Sequence, residues 1–297
     1  MREDSKELQA ALEARDRELA ALRLELADTN QGVVALYAEL DDTAVRLREV
    51  SDLKSRFLSY MSHEFRTPLG SIRSIARILQ DRLDGPLTAE QEKQVKFIQD
   101  SAAELTDMVN DLLDLAKVEA GRITISPAWF ELVDLFSALR GMFKPIVEGG
   151  SVSLIFEEPR GVPPIYTDDK KLSQILRNYI SNALKFTNAG EVRVSVAAHD
   201  DWVTFSVADT GMGIAAEHLR ALFQDFVQVD SPIQKRLRGT GLGLSLSKRL
   251  AIVLGGDVAA SSVAGKGSTF SVTIPIRLPG HAPEQAQGLR FDELNDA

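Results

Sequence analysis

The 297-residue sequence contains no cysteine, only 6% aromatic residues, and no apolar run of the roughly 18 residues that a membrane-spanning helix needs. The absence of cysteine excludes disulfides, thiolate metal sites and a cysteine nucleophile. The N-terminal segment is charged and does not have the organisation of a secretory signal. These features predict a cytoplasmic protein with no direct membrane span, in which any external signal arrives through an upstream sensor domain or protein outside this chain.

Acidic residues outnumber basic ones, which gives a formal net charge of −9. Such an excess of carboxylates repels a phosphate backbone, so we predict no nucleic-acid partner. Hydrophobic residues make up 44% of the chain, as in ordinary globular proteins, and the length indicates about two domains plus extensions.

A seven-residue apolar repeat runs through the first 50 residues. One register contains Leu12, Leu19, Leu26, Val33, Leu40 and Leu47, and the other contains Leu8, Leu22, Leu36 and Val50, interrupted by Arg15, Thr29 and Thr43. These are the a and d positions of a parallel coiled coil, which predicts a homodimer and a signalling helix over residues 1–50. The alternative is a single long helix packed on its own domain.

The register continues into a helical hairpin that we predict over residues 51–121. Its first helix should run to Leu83, because Asp84, Gly85 and Pro86 then form a stop signal. Thr88 is a suitable N-cap for the second helix, which extends to Gly121. One hairpin leaves its apolar stripe half exposed, so two should pair into a dimeric four-helix bundle.

Beyond Gly121 the pattern becomes mixed α/β, which predicts a separate domain over residues 122–278 and a loose tail over 279–297. We expect helices at 132–147, 170–186 and 242–254. The predicted strands lie at 123–125, 152–156, 192–198, 202–208, 258–262 and 269–276.

His63 lies two residues past the a position Met61, so the register places it at c, facing solvent. A neutral imidazole can attack phosphorus through one nitrogen while a carboxylate such as Glu64 holds the other N–H and fixes the tautomer. The same two residues also fit a solvated histidine and glutamate pair on a helix surface.

Asn178, Asn182 and Lys185 share one face of the predicted helix at 170–186. Two amide oxygens and an ammonium suit a hydrated Mg²⁺ and phosphates, because Mg²⁺ takes few protein ligands and keeps its waters. The alternative is a set of polar residues on an exposed helix face.

Two glycine-rich segments are further candidates for nucleotide binding. Asp209 follows a predicted strand, and Gly211 and Gly213 would let the backbone approach a base that the carboxylate recognises. The second segment contains Gly239, Thr240, Gly241, Leu242 and Gly243, and it opens a helix whose free N–H groups suit a polyphosphate. Either segment alone is also a common turn.

The polar segment between these elements contains Lys235, Arg236 and Arg238, and Pro232 discourages helix there. It fits a mobile lid over a triphosphate, in which Lys235 or Arg236 contacts the γ-phosphate. A solvated cationic loop explains the same residues.

The octapeptide SHEFRTPL at residues 62–69 resembles the H-box of bacterial two-component sensor histidine kinases. The segments LSQILRNYISNALKFT (172–187), DTGMG (209–213), FQDF (223–226) and GTGLGL (239–244) are similar, in that order, to the N, G1, F and G2 boxes of the GHKL ATPase fold. The resemblance implies a multi-domain protein: a parallel coiled coil, a dimeric four-helix bundle and an α/β-sandwich domain that binds ATP and Mg²⁺.

The resemblance also implies roles for individual residues. His63 would accept a phosphoryl group from ATP, Glu64 would aid proton transfer, and Thr67 would position water for dephosphorylating the partner, a response-regulator receiver domain. Nucleotide contacts are implied for Asn178 and Asn182 with Mg²⁺ and phosphate, Lys185 with phosphate, Phe186 packed at the base, and Asp209 reading adenine.

Two other functions fit parts of the pattern. The chain could be a GHKL ATPase that acts as a clamp or chaperone on a structural bundle, although the H-box counts against it. It could also be a dimeric scaffold, or a protein that acts mainly as a phosphatase through Thr67, although the complete set of nucleotide boxes favours a kinase.

Overall fold

A computed structural model describes residues 2–83, 85–225, 227 and 241–280 of the chain. Residue contacts divide the protein into two units, Met1–Phe57 and Leu58–Ala297. In the described ranges, no helix has an apolar stretch long enough to cross a bilayer.

The first unit consists of the N-terminal part of helix α1, which spans Arg2–Gln80. Apolar heptad residues are between 44% and 67% exposed at Leu12, Leu19, Leu26, Val33, Leu40 and Leu47. The hydroxyls of Thr29 and Thr43 donate to the carbonyls of Glu25 and Glu39 at 2.8 Å. These two polar residues of the heptad repeat therefore find hydrogen-bond acceptors within their own helix. The predicted helix is confirmed, and the paired coiled coil remains a prediction that requires a second chain to cover this stripe.

The second unit begins with the predicted helical hairpin. Helix α1 ends at Gln80, three residues earlier than predicted, because Arg82 adopts a left-handed φ of 56° that a helix cannot continue. Thr88 caps helix α2 (Ala89–Glu119) as predicted. The Gln91 amide donates to Thr88 Oγ1 at 3.3 Å, and the Thr88 amide donates to Gln91 Oε1 at 2.9 Å, which forms a reciprocal capping box.

A single hairpin buries only part of its apolar surface. Buried positions are Leu69, Ala76, Val95, Ala102, Leu113, Leu115 and Ala116, whereas Phe65, Ile72, Ile75, Ile98 and Leu105 are all more than 40% exposed. A second hairpin covers such a remainder in a four-helix bundle, so the exposed stripe supports the dimeric bundle that the sequence predicts.

The rest of the second unit is built around a five-stranded mixed sheet with the order β2-β4-β5-β7-β6. Its strands are β2 (Val152–Phe156), β4 (Gly190–His199), β5 (Trp202–Asp209), β6 (Asp257–Val263) and β7 (Gly267–Pro275), and β1 (Ala128–Phe130) pairs with β3 (Ile165–Thr167) in a small separate sheet. The helices are α3 (Leu132–Val147), α4 (Asp169–Phe186), the short α5 (Ala216–Leu219) and α6 (Gly243–Val253). The predicted helices and the five strands of the main sheet lie within two residues of these bounds.

One predicted strand is wrong, because residues 122–127 form no strand and the nearest one begins at Ala128. Pro127 lacks an N–H for a ladder, and the Ser126 amide donates to Asp168 Oδ2 at 2.9 Å. Ile123 and Ile125 instead pack against the edge of the core as irregular chain. Their hydrophobicity therefore reflects burial and not strand pairing.

The core lies between the sheet and the helices. Along β5, Val203, Phe205 and Val207 are fully buried, whereas Thr204 and Ser206 lie on the opposite face of the sheet. Helix α4 contributes Leu172, Ile175, Leu176, Tyr179, Ile180 and Ala183 to this core. Since full burial of a Leu or Ile side chain contributes roughly 1.5–3 kcal/mol, the apolar face of α4 fixes the direction of its polar face, which carries Asn178 and Asn182.

Replacement of Gly267 by alanine should destabilise the second unit by about 3 kcal/mol. Gly267 has a φ of +107°, and a Cβ there would lie only 1.9 Å from the Asp209 carbonyl oxygen. Gly265→Ala is a matched control, because Gly265 also has a positive φ of +79° but a Cβ there would have no neighbour within 4 Å. Urea unfolding should show that Gly265→Ala lowers the free energy of unfolding by only about 1 kcal/mol. Equal losses of stability in the two variants would contradict the close approach of Gly267 to the Asp209 carbonyl.

Candidate active site

His63 lies on the solvent-facing side of α1, as its register position predicts. Its side chain is 76% exposed, and its Nδ1 lies 3.6 Å from Glu64 Oε1. The carboxylate therefore faces one imidazole nitrogen and leaves Nε2 on the opposite side of the ring. This arrangement suits attack by Nε2 on a group delivered from solvent or from another domain.

Thr67 lies one helical turn after His63. Its hydroxyl donates to the His63 carbonyl oxygen at 3.4 Å, and the Ser71 hydroxyl in turn donates to the Thr67 carbonyl at 3.2 Å. Arg66 crosses to α2, where its guanidinium donates to Asn110 Oδ1 at 3.2 Å. This bond sets which part of α2 lies opposite the H-box residues of α1. Asn110 was not among the residues that the sequence pattern indicated.

Asn178 and Asn182 belong to a chain of hydrogen bonds between α4 and α6. Asn182 Nδ2 donates to Asn178 Oδ1 at 3.3 Å, Asn178 Nδ2 donates to Ser247 Oγ at 2.9 Å, and Ser247 Oγ donates to the Gly243 carbonyl at 2.9 Å. Because both amide nitrogens act as donors, the orientation of the two amide oxygens is fixed. Ser247 was not predicted, although its position four residues after Gly243 on the same helix is a signal for it.

Gly243 allows α4 and α6 to approach each other at this point. A Cβ on Gly243 would lie 2.3 Å from Asn178 Oδ1, which is far inside van der Waals contact. Leu242 is buried beside it, and Gly241 has a positive φ of +70°. The first amides of α6 therefore begin next to the asparagine pair, where unpaired helix N–H groups suit an anion.

Lys185 and Phe186 lie at the C-terminal end of α4. The Lys185 ammonium is 5.7 Å from the centre of the Phe186 ring. Burial lowers the pKa of Lys185, and the nearby Glu104 carboxylate on α2 partly opposes this effect. Lys185 lies three residues after Asn182 on α4, in a partly dehydrated setting where its charge acts strongly.

Asp209 lies at the end of β5 beside an unpaired buried hydroxyl. Asp209 Oδ1 accepts from the Gly211 amide at 2.8 Å, and burial raises the pKa of Asp209 although backbone hydrogen bonds from Gly211 and Ser268 oppose the shift. Thr187 is 3% exposed, and its Oγ1 has no hydrogen-bond partner among the described residues. A Cβ on Gly211 would lie 2.8 Å from both Asp209 Oδ1 and Thr187 Oγ1. It would also lie 2.3 Å from the Phe186 carbonyl oxygen, so glycine at this position lets these polar groups converge. A carboxylate beside an unpaired hydroxyl fits a polar ring such as a purine.

The described residues thus place two groups of predicted site residues. One group consists of Asn178, Asn182, Leu242 and Gly243, and the other consists of Asp209 and Gly211. Gly213 lies apart from both groups, against Val263: a Cβ on Gly213 would be 2.1 Å from the Val263 carbonyl oxygen. Lys235, Arg236, Gly239 and Thr240, together with Arg238 and Phe226, lie outside the described residues. In the ranges that are described, no cluster of three or more His, Asp or Glu side chains could hold a metal ion.

An acidic face of α2 lies against helix α4 of the α/β domain. Asp114 Oδ2 accepts from Gln174 Nε2 of α4 at 2.9 Å. Burial, followed by the charges of Asp107 and Asp114, raises the pKa of Asp111 to about 6, and Arg177 of α4 opposes the rise. Burial also raises the pKa of Asp107, against the charges of Arg73 and Arg177. Sequence reasoning did not identify this face, because it depends on which helices pack together.

Two families match the sequence. Residues 53–121 match the His Kinase A (phospho-acceptor) domain, and residues 167–278 match the histidine kinase-, DNA gyrase B-, and HSP90-like ATPase family. Both matched ranges lie inside the domain bounds that we predict from the sequence.

Individual proteins are similar over most of the chain. Hybrid signal transduction histidine kinase B of Dictyostelium discoideum is 39% identical over 245 residues, which cover 80% of this chain and 12% of that protein. The autoinducer 2 sensor kinase/phosphatase LuxQ of Vibrio parahaemolyticus is 36% identical over 231 residues, which cover 75% of this chain and 27% of that protein. The chain therefore spans less than a third of the length of these two curated relatives. The structure of full-length ShkA in complex with AMPPNP has a TM-score of 0.62 and 35% identity, over 74% of this chain and 45% of that chain.

Asp111→Asn should increase stability at neutral pH and remove part of its pH dependence. The pKa of the Asp111 carboxyl is about 6 in the folded protein, whereas its ordinary pKa is 3.8, so folding takes up a proton between these two pH values. Stability therefore falls as the pH rises through this window, and the ionised Asp111 opposes folding above it. At pH 7.5 the free energy of unfolding of Asp111→Asn should exceed that of wild type by about 1 kcal/mol, after allowance for the partial exposure of the carboxyl.

The difference in free energy of unfolding between Asp111→Asn and wild type should shrink as the pH falls from 7.5 to 4.5. Urea unfolding followed by circular dichroism at several pH values measures it directly. Parallel profiles for wild type and Asp111→Asn would contradict the assignment of the raised pKa to this carboxyl.

Proposed function

We propose that this chain, which belongs to the sensor histidine kinases of two-component systems, uses ATP to phosphorylate His63 and passes the phosphoryl group to an aspartate of a response-regulator receiver domain. The observation that carries the proposal is a pair of separate half-sites in one chain. An exposed histidine beside a carboxylate lies on the hairpin, and a set of amide, ammonium and carboxylate groups lies along α4 and β5.

The proposed reaction begins with neutral His63. Its Nε2 lone pair attacks the γ-phosphorus of ATP, the N–P bond forms while the bond to the β,γ-bridging oxygen breaks, and ADP leaves. The phosphoimidazole then loses its Nδ1 proton towards Glu64, whose carboxylate lies 3.6 Å away. Glu64 thus sets the reactive tautomer before attack and accepts the proton afterwards.

In the nucleotide half-site, Asn178 and Asn182 would hold Mg²⁺ through their amide oxygens and intervening waters. When bound, this ion neutralises phosphate charge and orients the γ-phosphoryl group. Lys185 adds a fixed positive charge for the phosphates, and the first amides of α6 add donors at Gly243. Gly239 and Thr240 extend this anion site, and either Lys235 or Arg236 contacts the γ-phosphate.

The base half of the nucleotide lies against Asp209 and Thr187. Asp209 accepts a hydrogen bond from the exocyclic amine of adenine, and Thr187 satisfies its unpaired hydroxyl on the same ring or on a bridging water. Gly211 and Gly213 leave room for the backbone beside the base, and Phe186 packs at the base. The AMPPNP complex of the similar protein ShkA supports an adenine nucleotide in this role.

The proposed working unit is a cytoplasmic homodimer. Residues 1–50 form the coiled-coil signalling helix, 51–121 the dimerisation and phosphotransfer domain and 122–278 the catalytic domain. The tail predicted over 279–297 lies outside the described residues from position 281 onward. The exposed stripes of α1 and α2 support this pairing, since each needs a second copy to bury it. An upstream sensor domain or protein supplies the signal.

A second activity, dephosphorylation of the partner, is favoured by the position of Thr67. Its hydroxyl lies one turn from His63, and the similar protein LuxQ is named a sensor kinase/phosphatase. In this activity, a phosphorylated aspartate of the receiver domain takes the place of the nucleotide, and Thr67 orients the attacking water.

Replacement of His63 by alanine should abolish phosphoryl incorporation from γ-labelled ATP, because no other group in the proposed site supplies the nucleophile. Wild-type label should be acid-labile and alkali-stable, as expected for phosphohistidine. His199→Ala is a matched control, because His199 is also exposed beside a carboxylate, with Nδ1 2.9 Å from Asp200 Oδ2. Label that survives in His63→Ala, or disappears in the control, would overturn the proposal.

Replacement of Thr67 by alanine should slow dephosphorylation of the phosphorylated partner by about tenfold or more, because water positioning is lost. Autophosphorylation should stay within about twofold of wild type, since Thr67 does not contact the imidazole ring. Ser71→Ala removes the next hydroxyl along the helix and should leave both rates close to wild type. An unchanged phosphatase rate in Thr67→Ala would remove this residue from the reaction.

A further inference from the structure

A broad groove of about 710 Å³ opens on the α/β domain, at the end of the sheet remote from Asp209. Asp201 lines the groove and directly precedes β5, whereas Asp209 ends that strand. At 3.3 Å per residue, about 26 Å of strand separates the two residues. A molecule bound in the groove therefore leaves the proposed nucleotide half-site free. The apolar lining consists of Trp129, Phe130, Pro163, Pro164 and Ile276, and the charged lining consists of Glu131, Asp201 and Arg277.

Trp129 is held in place from two sides. Its ring centre lies 5.4 Å from that of Tyr166, and the guanidinium carbon of Arg277 lies 5.3 Å from the centre of the Trp129 ring. Tyr166 is itself fixed, because its amide donates to the Ile276 carbonyl at 2.8 Å and its carbonyl accepts from the Leu278 amide at 2.9 Å. Trp129 nevertheless remains 41% exposed. A fixed but accessible indole offers a large contact area and loses little entropy when a ligand packs on it.

The rest of the apolar lining is also constrained. Phe130 and Ile276 pack against the core of the domain. Pro163 and Pro164 are exposed, and the ring of each proline fixes its φ. A rigid, open groove cannot enclose a small molecule, whose sites usually bury about 70–90% of the ligand surface. An extended peptide, which needs only one side covered, fits the groove better.

The carboxylates of the groove have no partner of their own in the described part of the chain. Glu131 is the N-cap residue of α3, but its side chain makes no capping hydrogen bond. Neither Glu131 nor Asp201 forms an ion pair with another described residue, and both are exposed. Two carboxylates against the single guanidinium of Arg277 leave the lining negative, and the net charge of −9 on the whole chain adds to this field. The groove therefore favours a ligand with a cationic side chain.

An aromatic and proline surface beside carboxylates suits a polyproline II segment that carries a lysine or an arginine. Proline has no N–H, so packing it on Trp129 leaves no donor unpaired. The backbone carbonyls of a polyproline II helix make no internal hydrogen bonds, so they can accept from the Trp129 indole N–H. Because such a segment is already extended before it binds, docking costs it little entropy.

We propose that the groove formed by Trp129, Pro163 and Pro164 with the carboxylates of Glu131 and Asp201 is a docking site for a proline-rich segment of a partner protein that also carries a basic residue. The prolines of this segment pack on Trp129, and its basic side chain pairs with the carboxylates. Docking here is independent of phosphoryl transfer, because the groove lies at the other end of β5 from Asp209.

The fluorescence of Trp129 tests this proposal directly. Trp202→Phe leaves Trp129 as the only tryptophan of the full chain. The probe is an unlabelled ten-residue peptide with two Pro-x-x-Pro units and one terminal arginine, which should shift the emission with saturation and a Kd of roughly 10–100 µM. A matched peptide with alanine in place of every proline should bind at least about tenfold more weakly. Absence of a saturable shift up to about 1 mM peptide, or equal binding of the two peptides, would overturn the proposal.

A second test removes the charge of the groove without changing its apolar surface. The double variant Glu131→Gln and Asp201→Asn should raise the Kd of the arginine-bearing peptide about tenfold, because the charge-assisted pairing is lost. Glu148→Gln is the matched control, since Glu148 is an exposed carboxylate at the other end of α3, about 25 Å away along the helix. The control should stay within about twofold of wild type, and an unchanged Kd in the double variant would contradict the proposal.

The same emission identifies any other occupant of the groove. A chain that ends at Gly280 should match the full chain in Trp129 emission and in peptide affinity. If shortening shifts the emission or raises the affinity at least about fivefold, residues 281–297 of the chain itself occupy the groove. If the emission changes with protein concentration, a second copy occupies it. Either result would overturn the proposed partner. Binding is measured without ATP, so the outcome does not depend on the proposed kinase function.

Discussion

The proposed nucleotide half-site depends on the close approach of α4 and α6 at Gly243. Without a side chain there, Asn178 reaches Ser247 at 2.9 Å, and Asn182 then reaches Asn178 at 3.3 Å. Any larger residue would separate the helices, because a Cβ would lie 2.3 Å from Asn178 Oδ1. The buried face of α4 gives this contact its rigidity, since the apolar residues that anchor the helix to the sheet leave its polar residues no other direction. One helix thus supplies both the core of the domain and the ligands of the site.

The second constraint is that the two half-sites must meet and separate. In the proposed function, phosphorylation requires the catalytic domain at His63, whereas transfer to a receiver domain requires His63 to be free of it. A docking surface built mainly from apolar side chains would resist this exchange, and Val118 is the α2 residue that packs against the core of the domain in the described structure. The contacts that join the catalytic domain to α2 include Gln174 with Asp114 and Arg249 with Glu119, both partly exposed and polar. Exposed ion pairs contribute only about 0–1 kcal/mol and partly buried ones somewhat more, so such a surface is compatible with repeated release.

The sequence predicts features that depend on local chemistry. The capping box at Thr88, the strand alternation of β5 and the exposed position of His63 each follow from residues a few positions apart, and the structure contains all three. The strand predicted at 123–125 is wrong because burial of two isoleucines gives the same short apolar pattern without pairing. Ser247 and Asn110 could not be ranked above other polar residues, because their importance comes from contacts 69 and 44 positions away. Lys235, Arg236, Gly239 and Thr240 lie outside the described residues, so their roles remain predictions.

The carboxylates of α2 affect how firmly this helix packs against α4. Three carboxylates, Asp107, Asp111 and Asp114, lie on the face that meets α4. Arg73 and Arg177 act on Asp107, Arg177 acts on Asp111, and Lys117 Nζ lies 3.9 Å from Asp114 Oδ1. Here burial and mutual repulsion raise the pKa of Asp111 to about 6, so above that pH the ionised group opposes its own burial. The same interface therefore contains a directional polar contact, Gln174 with Asp114, and a buried carboxylate, Asp111, whose ionisation weakens the packing.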